Sequence, residues 1–244
     1  MPAPTTSDDE SRYNVPAQPP VVDRGKFFYL LMALLILLVG AAFLEILNVS
    51  EVVFCFLLTS VLLVAVVSVC RQHKNLLPGL AIGIPVAVLN WVGYATGSFE
   101  VYLAHNIAII IFFIFVAWHV LAAVINDRRV TLDTIRGAVC VFLLAGLAWA
   151  YVYGTMLLLD SEAIRIPTGD EETGLSPFGS SSFTEIVYFS FVTITALGYG
   201  DIAPASAPAR TTAYLQAIFG QFYLAVMVAR LVAIHIMVAT NQQE

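Results

Sequence analysis

Thr193-Ile194-Thr195-Ala196-Leu197-Gly198-Tyr199-Gly200-Asp201 is the stretch on which the fold of this chain turns. Glycines stand on alternate positions, 198 and 200, where a positive φ is open to them and reaches a residue with a Cβ only at a steric cost. Backbone of that kind aims successive carbonyls to one side. The run lies between two long apolar segments, so its polar backbone has to be put to use within a membrane-like surrounding.

Composition extends that setting to the whole chain. Hydrophobic residues make up 59% of 244, charged residues 11%, and the mean hydropathy is +0.86, far from a soluble balance. Six apolar stretches approach the roughly 20 residues that cross a hydrocarbon core: Phe27–Leu47, Val52–Cys70, Leu76–Gly97, Val101–Ile125, Gly137–Leu159 and Thr211–Val238. Each is expected to be helical, because a strand or loop facing lipid leaves backbone groups unpaired. Eight of the 11 basic residues, Arg12, Arg24, Lys26, Arg71, Lys74, Arg128, Arg129 and Arg136, fall on one side of a six-span arrangement. That bias places both termini in the cytoplasm. The opposite side carries Glu51, Glu100, Asp160, Glu162, Asp170, Glu171, Glu172, Glu185 and Asp201 against Arg165 and Arg210. Either these carboxylates simply escape the positive-inside rule, or they form an acidic vestibule that concentrates cations.

Residues 1–26 are rich in Pro, Ser, Thr and acidic side chains and read as a disordered cytoplasmic tail. A long polar leader before a full-length span argues for an anchor rather than a cleaved signal. Cys55, Cys70 and Cys140 lie in or at the ends of spans with no CxxC or metal-ligand spacing, as packing or lipid-facing residues do.

From Gly137 the order becomes span, polar stretch, short amphipathic helix, the glycine run, and a long span. Ser182 with Glu185 three residues on fits a capping box, so the short helix is expected to start near Phe183 and run toward Thr195. Its carboxyl end would turn partial negative charge inward. The preceding Asp160–Ser181 stretch, with Pro167, Gly169, Gly174, Pro177 and Gly179, is expected to be a loop with little secondary structure.

This order and the run Thr195-Ala196-Leu197-Gly198-Tyr199-Gly200-Asp201 resemble the two-helix pore domain of the potassium channel superfamily. Arg128 to His235, about 110 residues, is similar to bacterial channel proteins in which that pore unit follows extra membrane helices. The resemblance implies an all-α membrane protein of six transmembrane helices with a re-entrant pore helix and selectivity filter, in a bacterial inner membrane. It implies a homotetramer, since four filter loops enclose each ion site. Potassium would be the transported ion, held by the backbone carbonyls of Ala196, Leu197, Gly198 and Tyr199, with no cofactor. Tyr199 would pack outward against the pore helix. Tyr188, Phe189, Val192 and Thr193 would support the filter, and Asp201 would stand at the outer mouth. Gly220, twenty residues after Gly200, falls at an inner-helix hinge position, or else permits close helix contact. Leu224, Val228, Val232 and Ile236 would line an apolar cavity that gates by dewetting or merely packs.

Departures from that pattern matter. Ala196 replaces the threonine whose hydroxyl helps build the innermost ion site, so weaker innermost binding and relaxed sodium exclusion are expected. Leu197 replaces valine or isoleucine and is expected to pack behind the filter. Val192 stands where some bacterial channels place a glutamate paired with the filter aspartate, and Phe189 lacks the hydrogen-bond donor of an indole.

Three segments follow: 1–26 as the tail, 27–126 as a four-helix membrane domain, and 127–244 as the pore domain. The fourth span has no Arg or Lys in its interior, so the chain is expected not to sense voltage. His105 and His119 are expected to be packing or interfacial residues rather than a proton relay, and Asn90 and Glu45 to contact another helix. Arg230, about 15 Å below Gly220 at the helical rise, is a functional candidate by position or a snorkelling side chain. Only Ala-Thr-Asn-Gln-Gln-Glu follows Val238, too short for a ligand-sensing module. Regulation is thus expected from the extra helices, lipids, the turret loop, pH or a separate protein, with no nucleic acid as partner. A passive potassium-preferring channel stands against a weakly selective monovalent cation channel and a non-conducting scaffold or regulatory subunit. No nucleophile elbow, metal cluster or phosphate loop points to an enzyme.

Overall fold

The computed structural model describes residues 25, 27–46, 51–70, 77–127, 131–166 and 180–240. The expectations for the tail, for most of the turret loop and for Arg71, Lys74, Arg128 and Arg129 lie outside the described residues, as do the side chains of Glu45 and Cys70. Among the described residues seven helices and two short strands follow in order: α1 Phe28–Ile46, α2 Glu51–Cys70, α3 Leu77–Thr96, α4 Phe99–Asn126, α5 Leu132–Leu159, β1 Ile164–Arg165, α6 Ser180–Ile194, β2 Ala203–Pro204 and α7 Ala207–Thr240. Among the described residues, four helices are long and apolar enough to cross a membrane: Pro78–Thr96, Phe99–Asn126, Leu132–Leu159 and Ala207–Ile234. The apolar stretches described in α1 and α2 are shorter, Phe28–Ala41 and Val52–Ser68.

Burial follows the helical period. Leu30, Leu34 and Leu37 of α1 are fully buried, as are Ile109, Phe112, Phe113 and Val116 of α4 and Cys140, Leu144 and Leu147 of α5. These stripes meet, so the core sits where α1, α4 and α5 converge. Cys55 and Cys140 are buried thiols outside any disulfide, the packing role expected of them. On α2, Thr59 and the carbonyl of Cys55 accept hydrogen bonds from Asn90 of α3 at 3.4 and 3.2 Å, which satisfies a polar side chain inside the bundle. Buried His105 sets its ring against Tyr151 of α5, and His119 bonds the Phe115 carbonyl at 2.8 Å. Both histidines take the packing role expected of them.

Five residues, 127–131, join α4 to α5. A link so short keeps the two helices antiparallel neighbours, since the chain reaches at most about 3.6 Å per residue; they share the most extensive helix contact in the molecule. Thr131 caps α5 by accepting from the Thr134 amide at 3.2 Å. That cap starts α5 at Leu132, five residues before the apolar run at Gly137 suggests.

The loop after α5 holds more structure than expected at its beginning. Ile164 pairs with Pro204 and Arg165 with Ala203 in an antiparallel bridge, and the Ala163 carbonyl accepts from the amides of Ala205 and Ser206 at 2.9 and 3.2 Å. The chain leaving the glycine run is thereby tied to the end of α5. Ser206 then caps α7 through the Ala209 amide at 3.3 Å.

Candidate functional site

Helix α6 begins at Ser180, three residues ahead of the start expected near Phe183. Local hydrogen bonding shapes the other end. The Thr193 carbonyl accepts from the Ala196 amide at 3.0 Å and the Val192 carbonyl from the Leu197 amide at 3.0 Å. These two bonds, around a residue at positive φ, are the nested pair that ends many helices on a left-handed residue. That residue is Ala196, at φ 58°, where glycine is the usual occupant. A side chain there costs about 1–2 kcal/mol of backbone strain. Thr195 adds its hydroxyl to the Phe191 carbonyl at 2.6 Å, so the carbonyls that a helix end leaves open are used by the run itself.

The alternation continues outward. Gly198 has φ 60° and Gly200 φ 80°, while Leu197 and Tyr199 between them do not have positive φ. Residues of alternating handedness turn each peptide plane back, so carbonyls that would alternate along a regular strand face one side. A Cβ on Gly198 or Gly200 would meet nothing within 4 Å in the chain. Backbone conformation, rather than space, is what calls for glycine at both positions.

Support for the run comes from polar contacts. Tyr188 donates its hydroxyl to Asp201 Oδ2 at 2.7 Å, joining the second half of α6 to Asp201 at the end of the run. That bond holds the Asp201 carboxyl below its ordinary range. Phe189 is buried edge-on against the Tyr153 ring, centroids 4.8 Å apart, and Val192 is buried. Within the single chain Leu197 is 58% exposed and Tyr199 69% exposed.

Helix α7 runs unbroken through Gly220. A Cβ there would overlap the Ile194 carbonyl oxygen and stand 2.9 Å from its carbonyl carbon. This buried glycine is a point of close helix approach, the alternative to a hinge, in this conformation of the chain. Leu224, Val228, Val232 and Ile236 are exposed. They wind away from the stripe of Gln216, Gly220, Tyr223 and Met227 that packs on the chain's own helices.

Several contributors had no motif to announce them. Gln216, fully buried, accepts from the Tyr153 hydroxyl at 2.7 Å and donates to the Ser190 carbonyl and hydroxyl at 3.0 and 2.8 Å. The Ser190 hydroxyl in turn donates to the Gly146 carbonyl at 2.7 Å. Arg230 reaches the end of α4: its Nη2 donates to the carbonyls of Ile125 and Asp127 at 2.6 and 3.1 Å. A cation at the carbonyl end of α4 meets both the open acceptors and the helix dipole.

Residues 138–236 match the family model described as ion channel. No curated protein and no solved structure matches the chain. The matched segment covers most of α5, α6, the glycine run and most of α7. The match supports an ion channel pore domain, and the apolar helices an integral membrane protein.

Proposed function

We propose that the chain forms a passive, potassium-preferring channel, assembled as a homotetramer whose four copies of Ala196–Tyr199 line the filter. The alternation of positive φ at 196, 198 and 200 carries this reading. It turns backbone carbonyls to one side, as required of a surface that replaces the water shell of an ion. Residues 27–126 serve as the four-helix domain and 127–244 as the pore domain, in a six-span topology with both termini cytoplasmic. Leu224, Val228, Val232 and Ile236 line the cavity below. Self-association is supported by the contrast between spans: 56% of the α5 window is buried within the chain, but only 11% of the α7 window. An apolar helix so bare needs either lipid or further copies around it. The absence of Arg and Lys from the interior of α4 supports an opening that does not follow voltage.

Ala196 specifically favours a softer selectivity, because the innermost cage lacks a side-chain oxygen on every copy. Weak discrimination among monovalent cations is therefore the second reading. Purified protein in liposomes under a potassium gradient should pass potassium and be blocked by barium. Sodium substitution should reduce the flux. Well-folded tetramers that pass no cation at any voltage or pH would leave only the scaffold reading.

A further inference from the structure

We infer that Gln216 is a positioning residue for ion discrimination, acting through its hold on the last turn of α6; this rests on the potassium reading above. The side chain is fully buried, and one amide group joins three helices: Tyr153 of α5, Ser190 of α6 and its own α7. Every side-chain donor in the cluster is used, since Tyr153 donates to Gln216, Gln216 to Ser190, and Ser190 to Gly146. One turn further along both helices, Gly220 meets the Ile194 carbonyl. The pairs 216/190 and 220/194 therefore lay one turn of α7 along the final turn of α6.

That final turn is where the filter starts. Its Val192 and Thr193 carbonyls hold the amides of Leu197 and Ala196, so a displacement of α6 passes directly to the first two carbonyls of the filter. Discrimination among cations depends on the number and field strength of such oxygens, and Gln216 itself touches none of the path. Adhesion alone would not call for this arrangement. Apolar side chains of similar shape replace a buried hydrogen-bonded pair with little loss of stability, whereas the directional bonds of an amide fix both distance and rotation.

The test is the double variant Gln216→Leu with Tyr153→Phe, which removes both partners and leaves Ser190 bonded to Gly146. It is expected to assemble and melt close to the wild type, while its potassium-to-sodium permeability ratio falls about tenfold in bi-ionic recordings. The extra stabilisation that potassium confers over sodium in thermal melts should fall with it. This second readout needs no conduction. Tyr153→Phe alone, which removes one hydrogen bond and almost no volume, should give a smaller shift in the same direction and decides the matter if the double variant does not fold. An unchanged permeability series and unchanged cation-dependent melting, with or without lost stability, would overturn the role of Gln216. A wild type that treats potassium and sodium alike overturns the potassium preference instead. In that case Gln216 is judged on whether its variants alter the relative permeabilities of lithium, sodium, potassium, rubidium and caesium.

Discussion

The pore unit and the four helices before it are built differently from the same apolar alphabet. Between α5, α6 and α7 the contacts are directional: an amide shared by three helices, a serine on a carbonyl, a glycine against a carbonyl, a tyrosine on an aspartate. Across α1 and α4 the core is carried by leucine, isoleucine and phenylalanine stripes. Apolar packing brings helices together but tolerates small slides and rotations; hydrogen bonds of fixed length do not. Directional contacts thus gather around the run at 193–201, where atom positions decide the chemistry; in the helices before it Asn90 makes such a contact within a largely apolar packing.

The contrast should show first in the filter. Gly198→Ala or Gly200→Ala adds no clash within the chain but forces a Cβ into left-handed backbone, about 1–2 kcal/mol per copy. Complete loss of potassium flux is expected in the liposome assay. Next, the same substitution should behave oppositely in the two regions. Gly220→Ala drives a methyl into the Ile194 carbonyl and should lower stability by about 1–3 kcal/mol. Gly93→Ala in α3 meets the Tyr102 ring at an ordinary 3.5 Å and should be neutral or stabilising by up to about 1 kcal/mol. Thermal unfolding of the two variants side by side would erase the distinction if both fell equally.

Ala196 allows a sharper separation of backbone from side chain. Ala196→Gly relieves the strain without adding an oxygen, while Ala196→Ser adds the missing hydroxyl without a branch at Cβ. Serine should raise potassium selectivity or barium block severalfold and glycine should not; threonine is a poorer test, because a branched residue at φ 58° is strongly disfavoured. Arg230 bridges the two regions, so Arg230→Met should free the end of α4 at about 1 kcal/mol. Faster hydrogen exchange is expected near Ile125, with little change near Gly198.

The smallest effect concerns acid. Tyr188 depresses the Asp201 pKa, so the bond between them is fully present above the unfolded value of 3.8 and is lost as pH falls through the lower folded value. In Tyr188→Phe the Asp201 carboxylate should protonate nearer 3.8. Titration of the Asp201 carboxyl by NMR reads that upward move directly.

Much of this was legible in the residues. The glycine alternation, the aromatic pair before it, Asp201 beyond it and the apolar spans all depend on local chemistry, and the observed helices follow those spans to within a few residues. Element ends were less legible where caps decide them: Thr131 starts α5 early, while α6 begins ahead of the Ser182 signal. Gln216, Ser190, Tyr153 and Arg230 carry no motif, because a glutamine in an apolar helix looks the same whether it meets lipid, water or another helix.

What the sequence determined alone is therefore whatever depends on a residue and its near neighbours: which segments are apolar, which positions admit positive φ, and that the run at 193–201 exposes its backbone. Tertiary structure decided the rest. It made Gly220 a point of close contact with Ile194. It gave Arg230 to the end of α4 and Gln216 to three helices at once, since each of those roles is set by an atom that sits tens of residues away along the chain and a few ångströms away in space.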